Sequence, residues 1–135
     1  MPPKGEQAGE GIGPEIEQER VDVLIIDDDP SVNDLVSAYL SHKGLKIKTS
    51  LTGSQGLEMI KTYNPKLILL DINLPDANGF NLCGRIKSTL EDVVIMYITS
   101  EPKEIVVRRT ENTEAEGYIL KPFDLSDLDV VLNHV

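Results

Sequence analysis

The chain has 135 residues, 23 acidic against 13 basic side chains, a formal net charge of −10, and 40% apolar residues. That length fits one domain, able to bury roughly two thirds of the surface its unfolded form exposes, so no disulfide staples are needed. A single cysteine, Cys83, and two separated histidines, His42 and His134, exclude a Cys/His zinc cluster, leaving oxygen ligands for any metal. The negative charge argues against nucleic acid as a partner of this domain, because such affinity comes largely from neutralised phosphates.

Residues 1–20 contain four Gly, three Pro and five Glu, with Ile12 and Ile16 as the only large aliphatics. A stretch so poor in apolar surface cannot offset its ordering entropy and reads as a disordered leader. It lacks the apolar core of a secretion signal, and nothing in the chain is apolar for long enough to span a membrane, so a cytoplasmic protein without membrane contact is expected. Residues 21–135 form the expected domain.

Short apolar runs then alternate with helical patterns. Residues 21–26, 67–70, 93–98 and 118–120 are aliphatic, β-branched or aromatic and have the length of buried parallel strands. Residues 45–49 alternate instead and suit an edge strand with one wet face. Val32, Leu35, Val36, Tyr39 and Leu40 place an apolar stripe on a helix that opens after Pro30-Ser31 and closes at Gly44. Weaker patterns cover residues 53–63, stopped by Asn64-Pro65, and Phe80, Cys83 and Ile86. Leu125, Leu128, Val131 and Leu132 make a final helix, capped by Asp124 or Ser126. Five strands alternating with five helices predict an α/β, doubly wound parallel sheet with helices on both faces.

Ligands bind such sheets beyond the carboxyl ends of the strands. Each buried run ends there in polar residues: Asp27-Asp28-Asp29, then Asp71, then Thr99-Ser100, then Lys121. Singly, each has a plain reading as a cap, a turn former or a solvated charge, and for Asp29 before Pro30-Ser31 a cap is preferred. Four such endings at one rim are harder to attribute to turn chemistry. Crowded carboxylates repel, and a hard divalent cation such as Mg²⁺ relieves that repulsion while keeping positions open for phosphate oxygens. The chemistry suggested is phosphoryl transfer, with Asp71 as nucleophile, Asp27 and Asp28 on the metal, and Lys121 and Thr99 on the phosphate.

These residues resemble the receiver domains of two-component response regulators, a family that includes the chemotaxis regulators. The acidic pair matches Asp27-Asp28, and the phosphoacceptor with its following Pro and Gly matches Asp71 to Gly79. The Thr/Ser after the fourth strand matches Thr99, and the Lys-Pro after the fifth matches Lys121-Pro122. The resemblance covers residues 21–135. It implies a flavodoxin-like fold with strand order 2-1-3-4-5, Mg²⁺ held by Asp28, Asp71 and the Asn73 carbonyl with Asp27 acting through water, and a cis peptide before Pro122. It further implies a switch in which Thr99 moves toward the phosphate and Tyr118 fills the space vacated. The donor would be a histidine kinase or phosphotransfer protein, and the fourth helix, fifth strand and fifth helix would present the output face to a partner or effector domain that the sequence does not identify. The domain would catalyse only its own phosphorylation and dephosphorylation. Asn73 and Glu101 occupy positions that tune hydrolysis in this family, and their combination implies a short-lived phosphorylated state.

Two departures stand out. Glu114 replaces a Gly that often ends the fourth helix, so this helix is expected to be short, irregular or mobile. The final helix lacks the arginines through which many winged-helix regulators pair, so dimerisation of that type is not expected. The chain stops at Val135, where the last helix should end, as in either a stand-alone receiver or the front of a larger regulator. Two other readings compete: a haloacid-dehalogenase-type phosphatase using Asp27 as nucleophile and Asp29 as acid, and a phosphorylation-independent binding domain of the same fold.

Overall fold

A computed structural model describes residues 20–135. The expected leader lies outside the described residues apart from Arg20, whose Nε donates to the Asn64 carbonyl. In chain order the elements are β1 (Val23–Ile26), α1 (Pro30–His42), β2 (Ile47–Ser50), α2 (Gly53–Tyr63), β3 (Leu67–Leu70), α3 (Gly79–Thr89), β4 (Val94–Thr99), α4 (Lys103–Asn112), β5 (Gly117–Leu120) and a 3₁₀ helix over Leu125–His134. All neighbouring strands pair in parallel, in the order β2-β1-β3-β4-β5. The uninterrupted aliphatic runs of β1 and β3 are buried at every position, because helices cover both faces of the central strands. The alternating run becomes the β2 edge, as expected, though it starts two residues later.

One core layer joins α2, α3 and Val106 of α4 to the sheet, and the other joins α1 and the final helix to its opposite face. Helix ends follow local chemistry. Asp29 accepts from the Ser31 amide at the start of α1, Gly44 closes that helix at φ +90°, and Asn64 ends α2 in the left-handed region.

Three expectations need correction. The α1 stripe is rotated: Asn33, Val36 and Leu40 form its buried centre, and Leu35 is 49% exposed. The final helix is 3₁₀, not α. At three residues per turn Leu128 and Val131 share one face, whereas Leu132, which an α-helix would align with Leu128, turns outward and is 36% exposed. Finally, α4 runs ten regular residues and ends without a left-handed residue, so Glu114 introduces no strain.

The end of α4 is fastened by a different device. The buried Tyr97 hydroxyl bonds Thr113 Oγ1 at 2.7 Å, and Thr113 Oγ1 bonds the Arg109 carbonyl at 2.8 Å. Tyr97→Phe is expected to cost about 1 kcal/mol of stability and to speed hydrogen exchange in the last turn of α4. Unchanged exchange there would contradict the fastening.

Candidate functional site

Three polar residues just past the strands remain on the sheet's hydrogen-bond ladder. The Asp27 amide donates to the Ser50 carbonyl at 3.0 Å, Asp71 to Ile26 at 2.9 Å, and Lys121 to Thr99 at 2.8 Å. The first residue beyond each of β1, β3 and β5 is thus positioned by its neighbouring strand, and Thr99 is the last residue of β4 itself. All four meet at the carboxyl rim, as the strand endings predict.

Asp27 and Asp71 are buried and Asp28 is exposed, and one carboxylate oxygen from each lies within 4.8 Å of the others. Lys121 Nζ approaches Asp27 Oδ2 at 2.7 Å and Asp71 Oδ2 at 3.4 Å, across the Lys121-Pro122 cis peptide that the resemblance implies. The Lys121 ammonium is the partner that the structure gives the buried Asp27 Oδ2. Burial, and then the charge of Asp27, push the Asp71 carboxyl up to about 6 against the pull of Lys121 and the Asn73 amide. Burial alone would lower the Lys121 pKa, but its contacts with Asp27 and Asp71 outweigh this and raise it.

An all-oxygen donor set and a carboxyl pushed upward by burial and by a like charge fit a hard divalent cation such as Mg²⁺.

The loop after β3 folds back on itself. The Asn73 amide donates to Asp71 Oδ1 at 3.2 Å, Asn73 bridges to Asn78, and the Gly79 amide donates to the Ile72 carbonyl at 2.7 Å. Across the mouth, the Asn73 side-chain amide donates to the Glu101 carboxylate. The Glu101 backbone amide donates to Oγ1 of the fully buried Thr99 at 3.2 Å. Tyr118 is half-buried on β5, packs against the α2/α3 core layer and lines a groove with Lys103, Pro122 and Val130.

Asp29 serves α1 as its cap and stands outside the carboxylate cluster, which removes the acid that the phosphatase reading requires. Sequence reasoning missed Asp76, whose carboxylate accepts from the Gly53 and Ser54 amides at 2.8 and 2.9 Å and ties the loop after β3 to α2. These bonds hold its pKa below the usual range. It missed Asn33 too, whose one signal was an amide interrupting the apolar stripe.

The fold and the rim together define a doubly wound α/β domain with an acidic cluster able to hold a metal at its carboxyl edge, and comparison with known proteins gives its class. The family model described as response regulator receiver domain matches residues 23–133. The chain is 32% identical over 108 residues to the DNA-binding dual master transcriptional regulator RpaA of Synechocystis, covering 78% of this chain and 45% of that protein. It is 30% identical over 113 residues to the transcriptional regulatory protein AfsQ1 of Streptomyces coelicolor, covering 84% and 50%. Thus it spans about half the length of these curated relatives. Among solved structures, a CheY-like response regulator receiver domain protein from Methanospirillum hungatei superposes with TM-score 0.77 at 26% identity, covering 84% of this chain and 91% of the other. The chain belongs to the response regulator receiver domain family of two-component signalling. It is a signalling domain in class rather than a metabolic enzyme, and no helix among the described residues is long and apolar enough to cross a membrane.

Proposed function

We propose that Asp71 is the phosphoacceptor of a cytoplasmic switch that takes its phosphoryl group from a histidine kinase or phosphotransfer protein. The observation that carries this reading is the joint placement of Asp71, Asp27, Asp28 and Lys121 at one rim, with Lys121 Nζ in reach of both buried carboxylates. A carboxylate oxygen of Asp71 attacks the phosphorus in line, and the new P–O bond forms as the bond to the donor breaks, its electron pair leaving with the donor. Asp27, Asp28, Asp71 and the Asn73 carbonyl would hold Mg²⁺, which when bound neutralises charge on the phosphoryl oxygens. Lys121, already poised between two carboxylates, turns its ammonium to the phosphoryl group, and Thr99 Oγ1 hydrogen-bonds it. Thr99 then leaves space beneath Tyr118, whose inward movement changes the face made by α4, β5 and the final helix. A shallow apolar groove of Val32, Leu35, Pro122 and Phe123 borders Lys121 and suits the donor protein.

Incubation of the whole chain with acetyl phosphate and Mg²⁺, followed by intact mass, tests the reading. One added phosphoryl group is expected with Mg²⁺ and none with EDTA. Turnover of p-nitrophenyl phosphate that survives Asp71→Asn but not Asp29→Asn would instead establish the phosphatase. Once formed, the phosphorylated state is expected to be short-lived, because Asn73 and Glu101 stand at the positions that tune hydrolysis in this family. A half-life of many hours in Mg²⁺ buffer would contradict this.

A further inference from the structure

The buried face of α1 carries one polar side chain, Asn33, which is only 3% exposed. Its Nδ2 donates to the Asp27 carbonyl at 2.9 Å and reaches the Ser50 carbonyl at 3.5 Å. Both neighbours are acceptors, so only the NH₂ end of the amide can face them. Oδ1 at the other end is buried and has no partner among the described residues. An amide with one end unpaired weakens a core that an aliphatic side chain of similar size would fill. Apolar packing alone therefore does not account for an asparagine here.

Its position explains it better. The chain after β2 turns away at Ser50, whose hydroxyl bonds the Thr52 carbonyl and accepts from the Thr52 amide. Among the described residues no backbone N–H reaches the Asp27 carbonyl, and Asn33 supplies the donor that β2 no longer provides. That carbonyl belongs to the peptide joining Asp27 to Asp28. The Asp28 carboxylate makes no hydrogen bond or ion pair among the described residues, so its direction depends on the backbone beneath it.

We infer that Asn33 is a positioning residue for the acidic site: its amide fixes the Asp27–Asp28 peptide and through it aims Asp28 at the oxygens of Asp27 and Asp71. The inference rests on the proposed Mg²⁺ site.

The test is Mg²⁺ titration of the whole chain by calorimetry, paired with thermal unfolding without metal. Removing outer partners of metal ligands typically costs 10- to 100-fold in affinity, so Asn33→Leu is expected to weaken Mg²⁺ binding about tenfold or more. Its Tm should change little, because loss of the unpaired acceptor offsets loss of the donor to the Asp27 carbonyl. Val36→Ala, on the same buried face, should show the converse: a lower Tm with unchanged Mg²⁺ affinity. Asn33→Ala cannot overpack and carries the same affinity expectation if the leucine variant does not fold. Wild-type Mg²⁺ affinity in a folded Asn33 variant overturns the positioning role while leaving the metal site standing. A wild type that does not bind Mg²⁺ overturns the metal site itself and this inference with it.

Discussion

Without metal, the protein is expected to become more stable when Asp71 is replaced by asparagine. The Asp71 carboxyl is pushed up from 3.8 to about 6, first by burial and then by the charge of Asp27. A carboxyl whose folded pKa is raised binds protons more readily in the folded state. Its contribution to stability is complete below about pH 4, is lost as pH rises through about 6, and stays lost above that. A displacement of this size corresponds to about 3 kcal/mol. Asp71→Asn removes the ionisable group and should recover much of it at pH 7.5, with a gain in Tm of roughly 10 °C. The gain should shrink through the window from pH 6 to pH 4 and vanish at its lower end. Saturating Mg²⁺ should close the gap, adding about 2.7 kcal/mol to the wild type at a hundredfold excess over Kd and little to Asp71→Asn. Denaturant unfolding at pH 4 and 7.5 in EDTA checks the sign, and an Asp71→Asn protein less stable than wild type at pH 7.5 would contradict it.

The second large effect is expected at Gly79, the first residue of α3. A Cβ there would lie 2.5 Å from the Asp71 carbonyl oxygen and 2.6 Å from Ile72 Cα. Both are backbone atoms, so no side chain can swing aside, and the close approach comes from the 2.7 Å bond between the Gly79 amide and the Ile72 carbonyl. Gly79→Ala should cost about 3 kcal/mol, at the upper end of overpacking, and lower Tm by roughly 10 °C. Because the displaced atoms belong to Asp71 and its neighbour, phosphoryl labelling should fall even at temperatures where the variant is fully folded. Gly84, with nothing within 4 Å of its Cβ position, is the contrast. Gly84→Ala in the interior of α3 should add up to about 1 kcal/mol. A Gly79→Ala protein with wild-type Tm would show that the loop after β3 yields more readily than its packing indicates.

The features legible in the sequence are those that recur along the chain or end an apolar run. Strands buried on both faces read as unbroken aliphatic segments, and the polar residues that stop them, Asp27, Asp71, Thr99 and Lys121, are the ones the parallel sheet gathers at one rim. The less legible features depend on partners distant in the chain. Asp76 caps a helix that begins 23 residues earlier, and nothing near it in sequence shows that. Asn33 interrupts the α1 stripe, but the stripe could be drawn through Leu35 without it, and only packing against β1 and β2 rotates the helix to bury the amide. Leu125, Leu128 and Leu132 satisfy an α-helical period almost as well as Leu125, Leu128 and Val131 satisfy a 3₁₀ one, so the final helix was ambiguous by periodicity. At the end of α4, glycine marks one way to stop a helix. Tyr97 and Thr113 provide another, from residues 16 positions apart.

The most direct measurement of the central claim is chemical trapping of the phosphorylated residue. Borohydride reduces an aspartyl phosphate to homoserine, which survives proteolysis and peptide mass analysis. After acetyl phosphate and Mg²⁺, homoserine is expected at position 71 and at no other Asp, with none formed in EDTA. Homoserine at Asp27, Asp28 or Asp29, or a phosphorylated protein that yields no homoserine, would contradict the assignment of Asp71 as the acceptor.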